Sequence, residues 1–319
     1  MKRKTRKKRS TREKQAQSQK RKKTVLIAVM CVVLVCVGYI GTDAFMIRHS
    51  YPVRQSEEIT GENADSNTEK KKIKSIALGI PSVALDNSVM LSSVLEEAKD
   101  SGFKSVSFEL KRADGSIGYD SSLTTVDTFG AISMPAKQLH ESIKTMKGEE
   151  IKPIAVIYCL KDNIVPSKSK DMAVIKDNKI YKDYKGNTYL NPDSEDALKY
   201  LKEIVIESYN LGVRTFVLAS VKLPDNVRKE HKDGFKKLSA ELSSKVGSDA
   251  VFIEAVEAEI NGWNVADGEY NYAGIKNEIE KLPKLKSNQM YLIKTEKDID
   301  TINKALNKNK IKGYIIKEK

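Results

Sequence analysis

Cysteine, histidine and tryptophan are scarce in this chain of 319 residues, which has three, three and one of them. Cys31 and Cys36 fall in one apolar run, so Cys159 stands alone in the rest of the chain and no internal disulfide can form there. A small disulfide scaffold is excluded. A domain of this size that folds outside a cell without disulfides fits a bacterial surface better than an animal secretory route. His49, His140 and His231 are far apart and offer no zinc-ligand spacing. No glycine-rich phosphate loop follows the first predicted strand, where SVALDNS stands instead. No cofactor is expected from these residues, and metal held by oxygen ligands alone stays open.

The charge that is present is unevenly placed. The chain carries a formal +13, yet residues 1–23 hold 13 Lys and Arg against the single Glu13, and the remaining residues are close to neutral with 43 basic and 42 acidic groups. The basic signal therefore describes a tail. That tail has no aromatic residue on which a base could stack, so no nucleic acid partner is expected. Directly after it, Thr24 to Ile47 is apolar with Asp43 as its only charge, long enough for one membrane-spanning helix. The basic flank predicts a cytoplasmic N-terminus and an exported C-terminal part. A cleavable signal peptide is the competing reading, with Thr42-Asp43-Ala44 as a weak site, but the charged leader and apolar run are both long for one. Residues 48–72 are polar and read as a disordered stalk.

From residue 73 to 319 a rhythm of strands and helices sets in. Predicted strands at 73–80, 104–110, 152–159, 214–220, 250–256, 289–294 and 312–317 alternate with helices at Val89–Ser101, Pro135–Lys147, a long one capped by Asp193, Arg228–Val246, Asn277–Leu282 and Lys297–Leu306. Gly102, Gly148, Gly212 and Gly247 are expected to close four of the helices. Such alternation predicts parallel pairing and an α/β domain of the (β/α) TIM-barrel type. A closed (β/α)8 barrel wants eight strands. With seven found, either one is hidden or the barrel is incomplete at its C-terminal end. The open doubly wound sheet is the alternative, without its phosphate loop. The long connection 160–192 should be a loop on the C-terminal face, with turns at Asp177-Asn178 and Lys185-Gly186.

Within this rhythm, Phe103 to Pro224 resembles the "putative glycoside hydrolase domain" family of exported bacterial proteins, whose TIM barrel is remotely similar to α-amylases. Where members typically show Asp-Val-Lys and an acidic-Gly pair, this chain has Glu109-Leu110-Lys111 and Asp114-Gly115. Ile154-Ala155-Val156-Ile157 and Leu160-Lys161-Asp162 stand for the family's Ile-Ala-Arg-Ile and Phe-Lys-Asp. Tyr181-Lys182-Asp183, Gly186 and Tyr189-Leu190-Asn191-Pro192 stand for Trp-x-Asp, Gly and Trp-x-Asn-Pro. Val217 to Pro224, VLASVKLP, stands for Gln-Phe-Asp-Tyr-Val-Arg-Phe-Pro. The aspartate that family logic nominates as catalytic is thus Ala219, with Val156 and Val217 replacing an arginine and a glutamine. Losing these polar groups together avoids leaving a buried charge unpaired, which costs several kcal/mol. The resemblance implies a glycosidase-like barrel that is catalytically degenerate and binds cell-envelope polysaccharide or an envelope partner. The alternative is an active glycosidase acting on cell-wall polysaccharide.

Strand alternation places Ser107, Glu109 and Lys111 on one face, expected to point into the barrel, with a structural Glu/Lys pair as the bland reading. Glycoside hydrolysis needs two carboxyls about 5 to 9.5 Å apart, depending on stereochemistry. If the chain is active, Glu109 with Glu254 or Glu257 are the catalytic candidates; Glu259 shares Glu257's parity, and which face is interior stays open. The resemblance nominates Lys111, Asp114, Lys161, Asp162 and Tyr189 as substrate-binding residues, and Trp263, in the loop after the fifth strand, joins them as a candidate sugar platform. Tyr181, Tyr184, Tyr189 and Trp263 could stack on sugars or simply pack. Asp162 and Asp225 are loop acids, and Cys159 has no nearby histidine to activate it as a nucleophile.

Overall fold

The computed structural model describes residues 74–231, 238–242 and 246–319. The tail, the apolar run 24–47 and the stalk lie outside the described residues, as do 232–237 and 243–245 of the predicted helix Arg228–Val246. No helix among the described residues is long and apolar enough to cross a membrane.

Seven parallel strands form a ring: β1 (Ile76–Gly79), β2 (Ser105–Lys111), β3 (Lys152–Tyr158), β4 (Thr215–Ala219), β5 (Val251–Glu259), β6 (Gln289–Thr295) and β7 (Tyr314–Glu318). Strands adjacent in sequence are adjacent in the sheet, and β1 pairs with β7 at Ala77↔Ile315 and with β2 at Leu78↔Val106. The barrel is therefore closed by seven strands. Neither an eighth strand nor a gap at its C-terminal end is needed. The helices that cover it are α1 (Ser88–Asp100), α2 (Leu139–Gly148), α3 (Glu195–Asn210), α4 (Tyr272–Glu280) and α5 (Ile299–Lys308).

Alternation sorts the apolar residues into two layers. Ile154 and Val156 of β3, Val217 and Ala219 of β4, Ile253 of β5, Leu292 of β6 and Ile315 of β7 fill the barrel. Their neighbours of opposite parity, such as Val106, Phe108, Phe216, Ile293 and Ile316, meet the helices. The compact unit Thr68–Lys319 thus carries its own closed core, as a domain that folds by itself does.

Several boundaries differ from expectation for identifiable reasons. Ser194, not Asp193, caps α3, its hydroxyl accepting from the Ala197 amide at 3.4 Å, while Asp193 faces His231 at 2.6 Å. Asn271 caps α4, which begins earlier than Asn277. Pro135 belongs to a short strand, Ile132–Ala136, that pairs with Ile117–Tyr119 and extends the sheet from β2, so α2 starts only at Leu139. Gly102 and Gly212 take left-handed φ of 78° and 109° after their helices, but after α2 Glu150 does so instead of Gly148, and Gly247 does not. Asp177 and Asn178, φ 50° and 60°, make the expected two-residue turn between Ile175–Lys176 and Lys179–Ile180.

Candidate functional site

The parity that buries the barrel's apolar layer also decides which residue each strand offers at the C-terminal mouth: Gly79, Glu109, Tyr158, Ala219, Glu257, Lys294 and Lys317. Glu109 points inward as alternation predicts, and its carboxylate is ion-paired with Lys317 of β7. Strand β1 lies between them. Because its last residue is Gly79, whose added Cβ would overlap the Cβ of Lys317, the lysine can cross β1 at that level.

Glu257 also faces the mouth. One of its oxygens accepts from the Ser220 amide at 3.2 Å, and the other lies 4.0 Å from the Lys294 amine. Ser220 has a left-handed φ of 48°, a costly conformation for serine that turns the backbone just past β4. On the strand beside Glu109 sits Tyr158, a buried side chain whose hydroxyl makes no hydrogen bond of ordinary geometry among the described residues, with the Glu109 carboxylate as the acceptor nearest to serving it. Burial, and then the charges of Glu109 and Glu257, push this phenol far above its ordinary value, so it keeps its proton. The Lys294 amine lies 5.4 Å from its ring centroid.

Beside the Glu109–Lys317 pair opens a cleft of about 720 Å³, walled by the 3-10 turn Ser82–Asp86 on one side and Met134-Pro135 on the other. Arg112 braces that second wall, donating to the carbonyls of Ser133 at 2.7 Å and Met134 at 3.4 Å.

Other nominated residues lie elsewhere. Glu254 has the parity of Phe252 and pairs in register with Leu218, both outside the barrel, and its carboxylate is 3.6 Å from Lys222. It does not reach the mouth. Lys111 is likewise corrected: an irregularity in the β2–β3 register between Glu109 and Lys111 breaks the alternation. Its amine lies 2.9 Å from the Asp162 carboxylate and donates to the carbonyls of Tyr158 and Lys161 at 2.9 and 3.3 Å. Both side chains are 0% exposed. Asp162 also accepts from the amides of Ile164 and Val165 at 2.8 and 2.9 Å, and Gly115, φ 96°, leaves space for it that a Cβ would fill. These two residues pin the long insertion to β2.

Asp114 is exposed but closes its own turn on the Ser116 amide and hydroxyl at 2.9 and 2.7 Å. Lys161 bridges to Tyr189 through backbone. Tyr189 is buried, donates to Asp183 at 2.8 Å and packs on buried Tyr181 at 5.9 Å between centroids, so both tyrosines hold the insertion together. Tyr184 is left exposed. Trp263 is 44% exposed and meets Tyr270 edge-to-face at 5.0 Å, on a small hairpin just beyond β5. With the Lys297 amine 4.6 Å from the Tyr270 centroid, these rings form an open aromatic ledge on the C-terminal side.

The arrangement thus gathers Glu109, Glu257, Tyr158, Lys294 and Lys317 at the mouth. Sequence reading missed the two lysines and the tyrosine. Their signal was parity, since Lys317 follows Ile315 and Lys294 follows Leu292 at a spacing of two. Where the family resemblance expects arginine, glutamine and aspartate, Val156, Val217 and Ala219 form a contiguous apolar surface, Val156 pairing with Val217 and Tyr158 with Ala219. No cluster of three or more His, Cys, Asp or Glu able to hold a metal occurs among the described residues.

Comparison with family models matches residues 77–273 to the family described as "Putative glycosyl hydrolase domain". Comparison with curated proteins finds no match. Among solved structures, a hypothetical protein from Ruminiclostridium thermocellum aligns at TM-score 0.51 and 22% identity over 56% of this chain and 96% of its own. The α-galactosidase from Lactobacillus brevis aligns at TM-score 0.50 and 8% identity over 78% of this chain and 38% of its own. At these identities the likeness is one of fold.

Proposed function

Since the chain belongs to the family of "putative glycosyl hydrolase" domains, we propose that it is a member that binds saccharide of the cell envelope, or a partner there, without hydrolysing it. The apolar run 24–47 would anchor it in the membrane with the barrel outside the cell. One observation carries the reading: Ala219 stands, fully buried, at the end of β4, where the family's logic puts the catalytic aspartate. The polar neighbours that would serve such an aspartate are Val156 and Val217, so the loss extends over two strands. The two carboxylates that remain at the mouth each have a lysine beside them. The cleft beside Glu109 and the Trp263–Tyr270 ledge supply concave and aromatic surface for sugar rings.

A second reading has its own support. Glu109 of β2 and Glu257 of β5 both face the barrel mouth and would be the acid and nucleophile of an active glycosidase. One assay decides between the two. The domain 68–319 is incubated with insoluble cell wall, and retention and released reducing ends are measured for it and for Glu109→Gln and Glu257→Gln. Retention with turnover at background is expected. One acid–base group alone contributes about 10² to 10⁴ in rate, too little for efficient hydrolysis. Strong release that either substitution abolishes would establish the glycosidase instead.

A further inference from the structure

The N-terminal end of the barrel, opposite the mouth, carries a basic depression of about 360 Å³ lined by Lys74, Lys284, Lys286, Lys310 and Lys312. Lys74 precedes β1, Lys284 and Lys286 precede β6, and Lys310 and Lys312 precede β7, so three adjacent parallel strands bring five amines to one rim. All five are exposed, and none has an ion-pair partner among the described residues. Elsewhere on the barrel lysines are commonly paired, as Lys317 with Glu109 and Lys319 with Glu259 and Glu296 are. Lys104 and Lys152 are exposed at the starts of β2 and β3, where the exposed Glu149 and Glu150 offset them. Charge outside the tail is nearly balanced, with 43 basic and 42 acidic groups, so the five amines of the depression are a local concentration and not general basicity.

We infer that this face rests on a layer of anionic lipid headgroups. The occupant is indicated by where the chain enters: Lys74, one of the five, directly continues Lys70-Lys71-Lys72-Ile73, through which the proposed membrane tether joins the barrel. Clustered lysines next to a bilayer are drawn to acidic headgroups, each raising partition about fivefold within a Debye length of the surface. Such docking turns the mouth away from the membrane. The inference rests on the proposed anchor only for the tether, and its test uses no residue before 68.

The domain 68–319 is sedimented with phosphatidylglycerol vesicles and with phosphatidylcholine vesicles. Binding to the first alone, reversed by high salt, is expected. Replacing Lys284, Lys286, Lys310 and Lys312 together by Gln should weaken it by on the order of 10² to 10³-fold. The same charge change on the helical lysines Lys144, Lys199, Lys276 and Lys304 should leave it within a few-fold. Absence of binding to phosphatidylglycerol, or an equal loss in the two variants, would overturn the assignment. So would binding of soluble poly(glycerol phosphate) with none to vesicles, which would hand the face to a wall polymer.

Discussion

Lys111 and Asp162 meet where neither side chain touches solvent, so each supplies the other's opposite charge, and backbone groups of Tyr158, Lys161, Ile164 and Val165 make up the rest of the lost hydration. Replacing Lys111 by Met strands the carboxylate, and urea unfolding followed by circular dichroism should show a loss of about 3 to 5 kcal/mol. Adding Asp162→Leu removes the stranded charge and should recover most of it. A larger loss in the double variant would assign these residues another role. The contrast between Lys111 and Glu109 also marks how far single residues were legible. Alternation correctly turned Glu109 inward and predicted the same for Lys111, but one register irregularity, with no signal in the residues themselves, intervenes. Glu254 and Glu257 could not be told apart because β5 is apolar on both faces, with Phe252 and Val256 on one and Ile253 and Ala255 on the other. Lys317 escaped notice as the partner of Glu109 because the two meet only through the gap that Gly79 leaves in a strand remote from both in sequence.

At the scale of elements, α3 is held to the β2 extension by Glu207. Its carboxylate accepts from the Tyr119 and Ser121 hydroxyls at 2.6 Å and from the Ser122 amide and hydroxyl at 2.7 Å. Burial alone would raise this carboxyl, but the hydrogen bonds outweigh it and hold it below the ordinary glutamate value of 4.5. A carboxyl lowered by folding stabilises the native state above its unfolded value, and that contribution is lost as pH falls through the folded value. Glu207→Gln should therefore be less stable than the parent at about pH 7, with the gap in urea midpoint narrowing as pH falls below 4.5 and through the folded value. A gap that stays constant would show the charge to be unimportant there. This contact was not legible, because Ile117–Tyr119 is too short for a pattern and its partner strand contains a proline. The amphipathic helices and their order were legible, since each presents an apolar stripe to the barrel, as α1 does with Leu91, Leu95 and Ala98.

For the whole molecule, closure depends on β1, a strand of four residues held between β7 and β2. All seven strands could be read in order, but that seven suffice could not, because the pairing of the first with the last has no local signature. A chain stopped after Lys312 loses Ile315 from the interior and Tyr314 and Ile316 from the outer core, and leaves β1 and β6 with open edges. It should give no cooperative urea transition and should elute as aggregates on gel filtration, whereas removal of Lys319 alone should be tolerated. A cooperative monomer without β7 would refute the need for closure. The same topology sets a timetable for the living chain. Synthesis delivers β1 first among the seven and β7 last, so β1 keeps one unsatisfied edge for the whole time the ribosome is making the other six. If the barrel is exported as it is made, nothing can pull it back by having folded early on the inner side of the membrane. Completion waits for the last strand to arrive.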